Sequence, residues 1–400
     1  MADLLWGKVY YKDQYAGTLR EEPGERFVFA YDKTYLESVA PAIAVTLPKQ
    51  AAPIINESGM PSFFDNLVAE GWMEGSQARA LGKRNWKRFE LLLAFGTDCA
   101  GAVSIVDPEP EAFKKFDIDA TDPKDFAVLQ SRASLSGVQP KLAVVKDSRA
   151  YRPAKRGEVS THIAKFASPH LPDIIEIEYL TTIATHALLP NEDVVEMEMR
   201  ELEKLSEPAL IIKRFDRTNG SKLHFEEFTQ LLNMKSENKY NGAYNDMAEF
   251  MKGREDCLPA DIYRLLRRIL VGIILGNTDM HLKNFAMWHT QEGLRLTPIY
   301  DQVAAALYHP KYQQLALKIA GAADFSIGSL KDKHLRRLAK EFGIDDKQLE
   351  QMTAEIETRL EPAKTAIENV KDVHDSLKER LIKLIGKRWN GTFRLIGRRS

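Results

Sequence analysis

The sequence predicts an α+β chain, and three observations carry that expectation. Short apolar runs separated by turn residues dominate the first half, as strands require. Apolar residues at three- and four-residue spacing dominate the second half, as helices with one buried face require. An acidic, proline-containing stretch, 107–125, sets a small first unit apart from the rest.

From the N-terminus, 5–11, 15–19 and 26–30 read as short strands, with Pro23 and Gly24 supplying a turn. Segments 63–71 and 86–94 carry helical periodicity, and 102–106 reads as another strand. Together they make a small mixed α/β unit, 1–106. The stretch 107–125, with Pro108, Pro110 and Pro123 among many acids, reads as a linker. The next block, 126–242, holds three apolar runs that read as strands, 141–145, 162–166 and 209–215. A helical pattern through Ile177, Leu180, Ile183 and Ala187 lies between the second and third, which outlines a strand–helix–strand nucleotide-binding lobe. The last block, 243–400, reads as helical throughout. In it Ile262, Leu265, Leu266, Ile269, Leu270 and Ile273 bury one broad face, and Gly276 stands where glycine commonly ends a helix.

Composition excludes several classes of function. The chain has 400 residues, enough for two or three compact units with a large core. Its formal charge of -1 gives no global pull toward nucleic acid or membrane. Cys99 and Cys257 are the only cysteines, which rules out a disulfide scaffold and a cysteine-rich zinc site and fits a reducing cytoplasm. The first residues lack an apolar signal core, and the run 269–275 is too short to span a bilayer.

The chemistry is concentrated after Gly276. Asn277-Thr278-Asp279-Met280-His281-Leu282-Lys283-Asn284 sets an aspartate and an asparagine five residues apart, and Tyr300-Asp301 follows at the end of a predicted strand. Phosphoryl transfer needs such a set: a carboxylate to take the proton of the attacking hydroxyl, with an amide and a second carboxylate to hold magnesium on ATP phosphates. Asp279 is the candidate base, and Asn284 and Asp301 are the candidate metal ligands. On spacing alone a capped turn would use the same residues, and the flanking segments favour the chemical reading.

Those segments are Ser134-Leu135-Ser136-Gly137-Val138-Gln139-Pro140-Lys141, His162-Ile163-Ala164-Lys165, Ile211-Ile212-Lys213-Arg214-Phe215-Asp216-Arg217, and Phe225-Glu226-Glu227-Phe228-Thr229-Gln230. In this order, with the Asp279 loop and Thr297-Pro298-Ile299-Tyr300-Asp301, they closely resemble the HipA family, bacterial serine/threonine kinases of type II toxin–antitoxin systems. The resemblance covers nearly the whole chain, since 1–106 is similar to the small N-terminal subdomain of full-length members. It implies a protein-kinase-like bilobal fold with that mixed α/β subdomain and an all-helical C-terminal lobe. It puts the family's catalytic aspartate on Asp279, its magnesium residues on Asn284 and Asp301, and its ATP-contacting lysine on Lys165. The adenine hinge falls near Glu226, Glu227 and Phe228, and the nucleotide set extends to His281, Lys283 and Tyr300. The phosphate loop falls on Ser136, Gly137, Val138, Gln139 and Lys141; it is no Walker A motif, with one glycine to close on phosphate. Family members autophosphorylate a serine of this loop and so switch themselves off. That serine falls on Ser134, and Ser136 is a second hydroxyl two residues on. Glu178 is either an ion-pair partner for Lys165 or an exposed helical glutamate. The implied partners are a protein substrate such as an aminoacyl-tRNA synthetase and a small helix-turn-helix antitoxin that carries the DNA contact.

Two other readings keep part of this pattern. A small-molecule phosphotransferase uses the same aspartate-to-asparagine spacing but lacks the Ser-Leu-Ser-Gly loop and the N-terminal unit. A non-enzymatic component of a DNA-bound repressor complex would need no complete catalytic set, and none of the set is missing here. The basic patch Lys83-Arg84-Asn85-Trp86-Lys87-Arg88 reads as a solvated helix start. The stretch 335–349 imitates a helix-turn-helix but reads as a helical hairpin. The tail with Arg394, Arg398 and Arg399 reads as a solvated end, and His162 and His281 lack companions at zinc spacing.

Overall fold

The computed structural model describes residues 5–82, 86–109, 123–135, 137–148, 150–168, 170–202, 205, 207–218 and 220–398, with backbone alone at the last two. The chain divides into two compact units, Met1–Ser168 with Arg200–Ser236, and Pro169–Met199 with Glu237–Ser400.

The first unit opens on an antiparallel sheet. Strands β1 (Trp6–Tyr11), β2 (Gln14–Glu22), β3 (Arg26–Tyr31), β4 (Ile54–Asn56) and β5 (Val103–Val106) stand in the order β4-β3-β2-β1-β5. Alternation selects the buried face, so Val9 and Tyr11 of β1 point inward. Gly7 lets the helix Arg88–Phe95 lie close, because a Cβ there would come within 2.6 Å of Leu93 Cδ2. Leu19, Phe29, Phe63, Phe89, Leu92 and Ile105 fill the core beneath the sheet. The expected helix over 63–71 is corrected. Ser62–Asp65 forms a single turn and Gly71–Ala80 a separate helix, and between them the backbone turns extended at Glu70 and left-handed at Gly71, with φ +58°.

Strands β6 (Lys141–Asp147), β7 (Ala150–Pro153) and β8 (His162–Phe166) form a second sheet of this unit, in which β7, β6, β8 and Pro208–Lys213 lie side by side. The expected linker falls largely on 110–122, outside the described residues; the helix Pro123–Ser131 occupies its end. Residues 83–85 of the basic patch also lie outside them, while Lys87 bonds Glu21 at 2.6 Å and Arg88 bonds Asp65 at 2.7 Å.

A buried charge cluster joins the two sheets of this unit. Arg214 donates to Asp216 at 2.7 Å and to Ser160 Oγ at 2.8 Å, and Arg217 donates to Asp98 at 2.8 Å. Both guanidinium groups also reach the Cys99 carbonyl, at 2.9 and 2.7 Å. Burial works against the Asp98 carboxylate, but the charges of Arg214 and Arg217 outweigh it and hold its pKa at about 2. Burial with no adequate counterweight pushes the neighbouring Cys99 thiol up to about 12, so it stays protonated.

The second unit is built on the helix Pro259–Leu275, whose N-terminal proline suits a first turn and whose apolar face is buried. Ile174–Leu188, Tyr244–Lys252 and Asp375–Gly391 pack against it. Asp332–Phe342 and Asp346–Glu357 form a plain helical hairpin over 335–349, broken at Gly343 with φ +81°. Among the described residues no helix is long and apolar enough to cross a membrane. The all-helical expectation for this part is corrected by a β-hairpin, Ala286–Thr290 paired with Gly293–Leu296. Apolar residues alternate there, with Met287, Leu294 and Leu296 buried. Gly293 has φ +114°, and a Cβ on it would strike the Asp256 carbonyl at 2.2 Å. Asp301 follows an isolated bridge between Ile299 and Val194, not a strand.

Candidate active site

In the second unit the site begins where the helix Pro259–Leu275 stops. Gly276 adopts φ +76°, and the Asn277 amide donates back to the Gly272 carbonyl at 2.9 Å, closing the helix end. Asn277 is fully buried, and its Oδ1 accepts from the Asp279 amide at 3.1 Å. Thr278 donates to the Tyr312 carbonyl at 2.7 Å. The chain is thereby turned so that Asp279 is exposed between buried neighbours.

The Asp279 carbonyl then organises the rest of the loop. It accepts from the His281 amide and from Asn284 Nδ2, both at 2.8 Å. That bond commits the amide nitrogen of Asn284 and leaves its oxygen as the end suited to a cation. Leu282–Asn284 forms a single 3₁₀ turn, with His281, Lys283 and Asn284 buried. Tyr300 donates its hydroxyl to the Lys283 carbonyl at 2.7 Å, which docks the segment carrying Asp301 onto this loop. Asp301 itself has φ +56°, a left-handed conformation uncommon for a residue with a side chain. A hard oxygen pair from an amide and a carboxylate fits magnesium, which takes few protein ligands and keeps water and phosphate for the rest.

Three supporting residues had no signal in the sequence. Gln302 is buried and donates to the Tyr300 carbonyl at 3.0 Å, while accepting from Asn277 Nδ2 at 3.5 Å. Glu192 takes Arg264 at 2.8 Å and Arg268 at 2.6 Å, and Arg268 reaches on to the Thr297 carbonyl at 2.7 Å. Burial opposes the Glu192 carboxylate, but the two arginines outweigh it and keep its pKa below the ordinary value. Tyr240 approaches from 39 residues earlier and donates to Asp279 Oδ1 at 3.0 Å.

In the first unit Lys141 and Lys165 face each other across β6 and β8 as register partners, both buried. Gly137 has φ +99°, and a Cβ there would sit 2.3 Å from the Lys141 ammonium nitrogen, so that ammonium lies against the loop backbone. Two cations beside a glycine backbone suit phosphate oxygens. Gln139 bonds the Phe166 carbonyl at 2.9 Å, and Val138 is largely exposed. Gly71 packs under Val138, where a Cβ would meet Val138 Cα at 2.6 Å. Ser134 is buried, and its hydroxyl donates to the Leu67 carbonyl at 2.6 Å. Ser136 lies outside the described residues. Glu226, Glu227 and Phe228 are buried, and the Glu226 carboxylate accepts from the Val45 amide at 2.8 Å. Glu178, in the second unit, is fully buried, so the exposed-glutamate alternative is corrected. Its helix is apolar enough to be covered along that side.

The exposed aspartate with its asparagine-bonded carbonyl and the docked second aspartate are features of a kinase-like protein. Comparison with known proteins gives the family. The HipA N-terminal domain matches residues 7–106, and the HipA-like C-terminal domain matches residues 133–364. The chain belongs to the HipA family. A protein of Sinorhizobium fredii named "Putative kinase Y4dM" is 27% identical over 356 residues, 82% of this chain and 84% of that one. The serine/threonine-protein kinase toxin HipA of Shewanella oneidensis is 27% identical over 355 residues, 80% of this chain and 77% of that one. Among solved structures, the Shewanella oneidensis HipA, HipB and operator DNA complex contains a chain of like fold. Its TM-score is 0.76 at 21% identity, covering 98% of this chain and 100% of that one.

Proposed function

We propose that this protein is an ATP- and magnesium-dependent serine/threonine protein kinase of the HipA type. It acts in the cytoplasm as a toxin on a translation-related protein such as an aminoacyl-tRNA synthetase. The observation that carries the reading is the Asp279 loop, whose carbonyl holds Asn284 while its carboxylate stays exposed. Asp279 accepts the proton of the attacking hydroxyl. Asn284 and Asp301 hold magnesium, which when bound neutralises phosphate charge. Lys165 and Lys141 meet phosphate oxygens as point charges, and the backbone at Gly137 closes on them. His281, Lys283 and Tyr300 line the nucleotide side of the Asp279 loop, which the His281 amide and the Tyr300 hydroxyl keep in register.

Phosphate on Ser134 or Ser136 ends activity, because roughly 1.5 to 2 added negative charges would repel the triphosphate that the loop serves. A small helix-turn-helix antitoxin is the expected partner; the fold relative solved with HipB and operator DNA supports it. Incubation with γ-labelled ATP and magnesium tests the reading, first with the protein alone and then with bacterial lysate. Label is expected on the chain itself and on a lysate protein. Label on small molecules only would point to a metabolite kinase, and no label at all would remove the enzyme.

A further inference from the structure

Asp279 stands exposed on a short loop, and a carboxylate there rotates about two side-chain bonds unless something holds it. The Tyr240 hydroxyl, from outside that loop, donates to it, 3.0 Å from Oδ1. The backbone around Tyr240 is tied down on both sides. The Lys239 carbonyl accepts from the Leu282 amide at 3.2 Å, and the Gly242 carbonyl accepts from the Lys318 amide at 3.1 Å. Gly242 lies so close to Leu282 that a Cβ would meet its Cδ1 at 2.9 Å. The ring is fixed as well, edge-on to His281 with centroids 5.0 Å apart and with the Lys239 ammonium 5.5 Å from its centre. Even so, 46% of Tyr240 is exposed. A tyrosine serving only the core would be covered; this one is braced at its base, half open to solvent, and ends on the candidate base.

We propose that Tyr240 is the positioning residue for phosphoryl transfer, holding the Asp279 carboxylate in the orientation that meets the acceptor hydroxyl. The proposal rests on the kinase reading above. A phenol suits this role because it stays a neutral donor near pH 7, so it orients the carboxylate without adding charge. Its rigid ring spans from one backbone segment to the next at little entropic cost.

The full-length protein, Tyr240→Phe, Tyr240→Ala, Asp279→Asn and the double variant Tyr240→Phe/Asp279→Asn test this. The assay is transfer from γ-labelled ATP to the chain itself and to lysate proteins, at varied ATP. Tyr240→Phe keeps the ring on His281 and removes only the hydroxyl. It is expected to lower kcat about tenfold, a part of what a general base supplies, with KM for ATP and the melting temperature unchanged. Tyr240→Ala should lower kcat at least as far. In the Asp279→Asn background, Tyr240→Phe should cost nothing further, because it acts through Asp279. A Tyr240→Phe enzyme with wild-type kcat, or with its loss in KM for ATP, or with a further loss in the Asp279→Asn background, overturns the assignment and leaves the kinase reading intact. A wild-type protein that transfers no phosphate overturns both.

Discussion

Asp301 sits at φ +56°, and that conformation decides which substitutions inform. Asparagine tolerates left-handed backbone and retains an oxygen, so Asp301→Asn removes one negative charge and little else. It is expected to weaken binding of a non-hydrolysable ATP analogue in a magnesium-dependent way while the melting temperature holds. Calorimetric titration at several magnesium concentrations measures it, and unchanged affinity would remove Asp301 from the metal. Alanine is a poorer probe there, because it adds about 1–2 kcal/mol of backbone strain to the loss of the ligand. Asp279→Asn preserves shape but cannot accept a proton, and kcat should fall by about 10²–10⁴ with the fold unchanged. A variant keeping a tenth of wild-type turnover would exclude Asp279 as base. These candidates stood out in the sequence because phosphoryl transfer calls for particular residue types at short spacing. Tyr240, Gln302 and Glu192 were not, since each gains meaning only when the chain folds back on itself, and a lone tyrosine or glutamine carries no such mark.

At the scale of elements, the helix Pro259–Leu275 and its cap set the loop's starting point. Gly276 is needed for its φ of +76° and for space, since a Cβ would lie 2.4 Å from Leu384 Cδ2. Gly276→Ala should therefore destabilise the protein by about 1–2 kcal/mol from backbone strain alone, with the Leu384 clash in addition. Thermal unfolding reads the stability, and turnover should fall too because Asn277 follows directly. The helix and its glycine stop were readable from periodicity and residue type. The hairpin of Ala286–Thr290 and Gly293–Leu296 was not, because its strands are short and helices surround it in sequence. The break within 63–71 escaped for a related reason: apolar residues continue through a stretch whose backbone leaves the helix after Asp65 and is extended at Glu70.

At the scale of the whole molecule, the cluster of Asp98, Arg214, Asp216 and Arg217 makes the first unit acid-sensitive. Asp98 has a folded pKa of about 2 against an ordinary 3.8. Its contribution is present above the unfolded value and is lost as pH falls from about 4 toward 2. One shifted carboxylate of this size contributes about 2 kcal/mol. Urea unfolding at pH 6, 4 and 3 should show stability declining over that window. Asp98→Asn should be less stable at pH 6 by about 3–5 kcal/mol, the cost of stranding buried guanidinium charge, with a flatter pH dependence. An unchanged slope would mean that the cluster is open in solution. The segment holding Arg214, Asp216 and Arg217 was noticed in the sequence as part of a family pattern. Its physical role was hidden, because the partner carboxylate lies 116 residues earlier for Arg214.

On the proposed self-modification, the burial of Ser134 would give the molecule a sense of time. Its hydroxyl is lodged against the Leu67 carbonyl, and the neighbouring Ala133 carbonyl is held by Gln77 at 3.0 Å. If self-modification happens there, it must wait for this seat to open, and openings costing about 2–4 kcal/mol occupy only a small fraction of molecules. The enzyme would then run down as a slow fuse, its working life set by a fluctuation and not by its catalytic rate. Gln77→Ala should shorten the fuse: loop phosphorylation, followed by mass spectrometry, should accelerate while early phosphorylation of other proteins keeps its rate. Equal loop kinetics in both proteins would mean that the seat does not govern the delay.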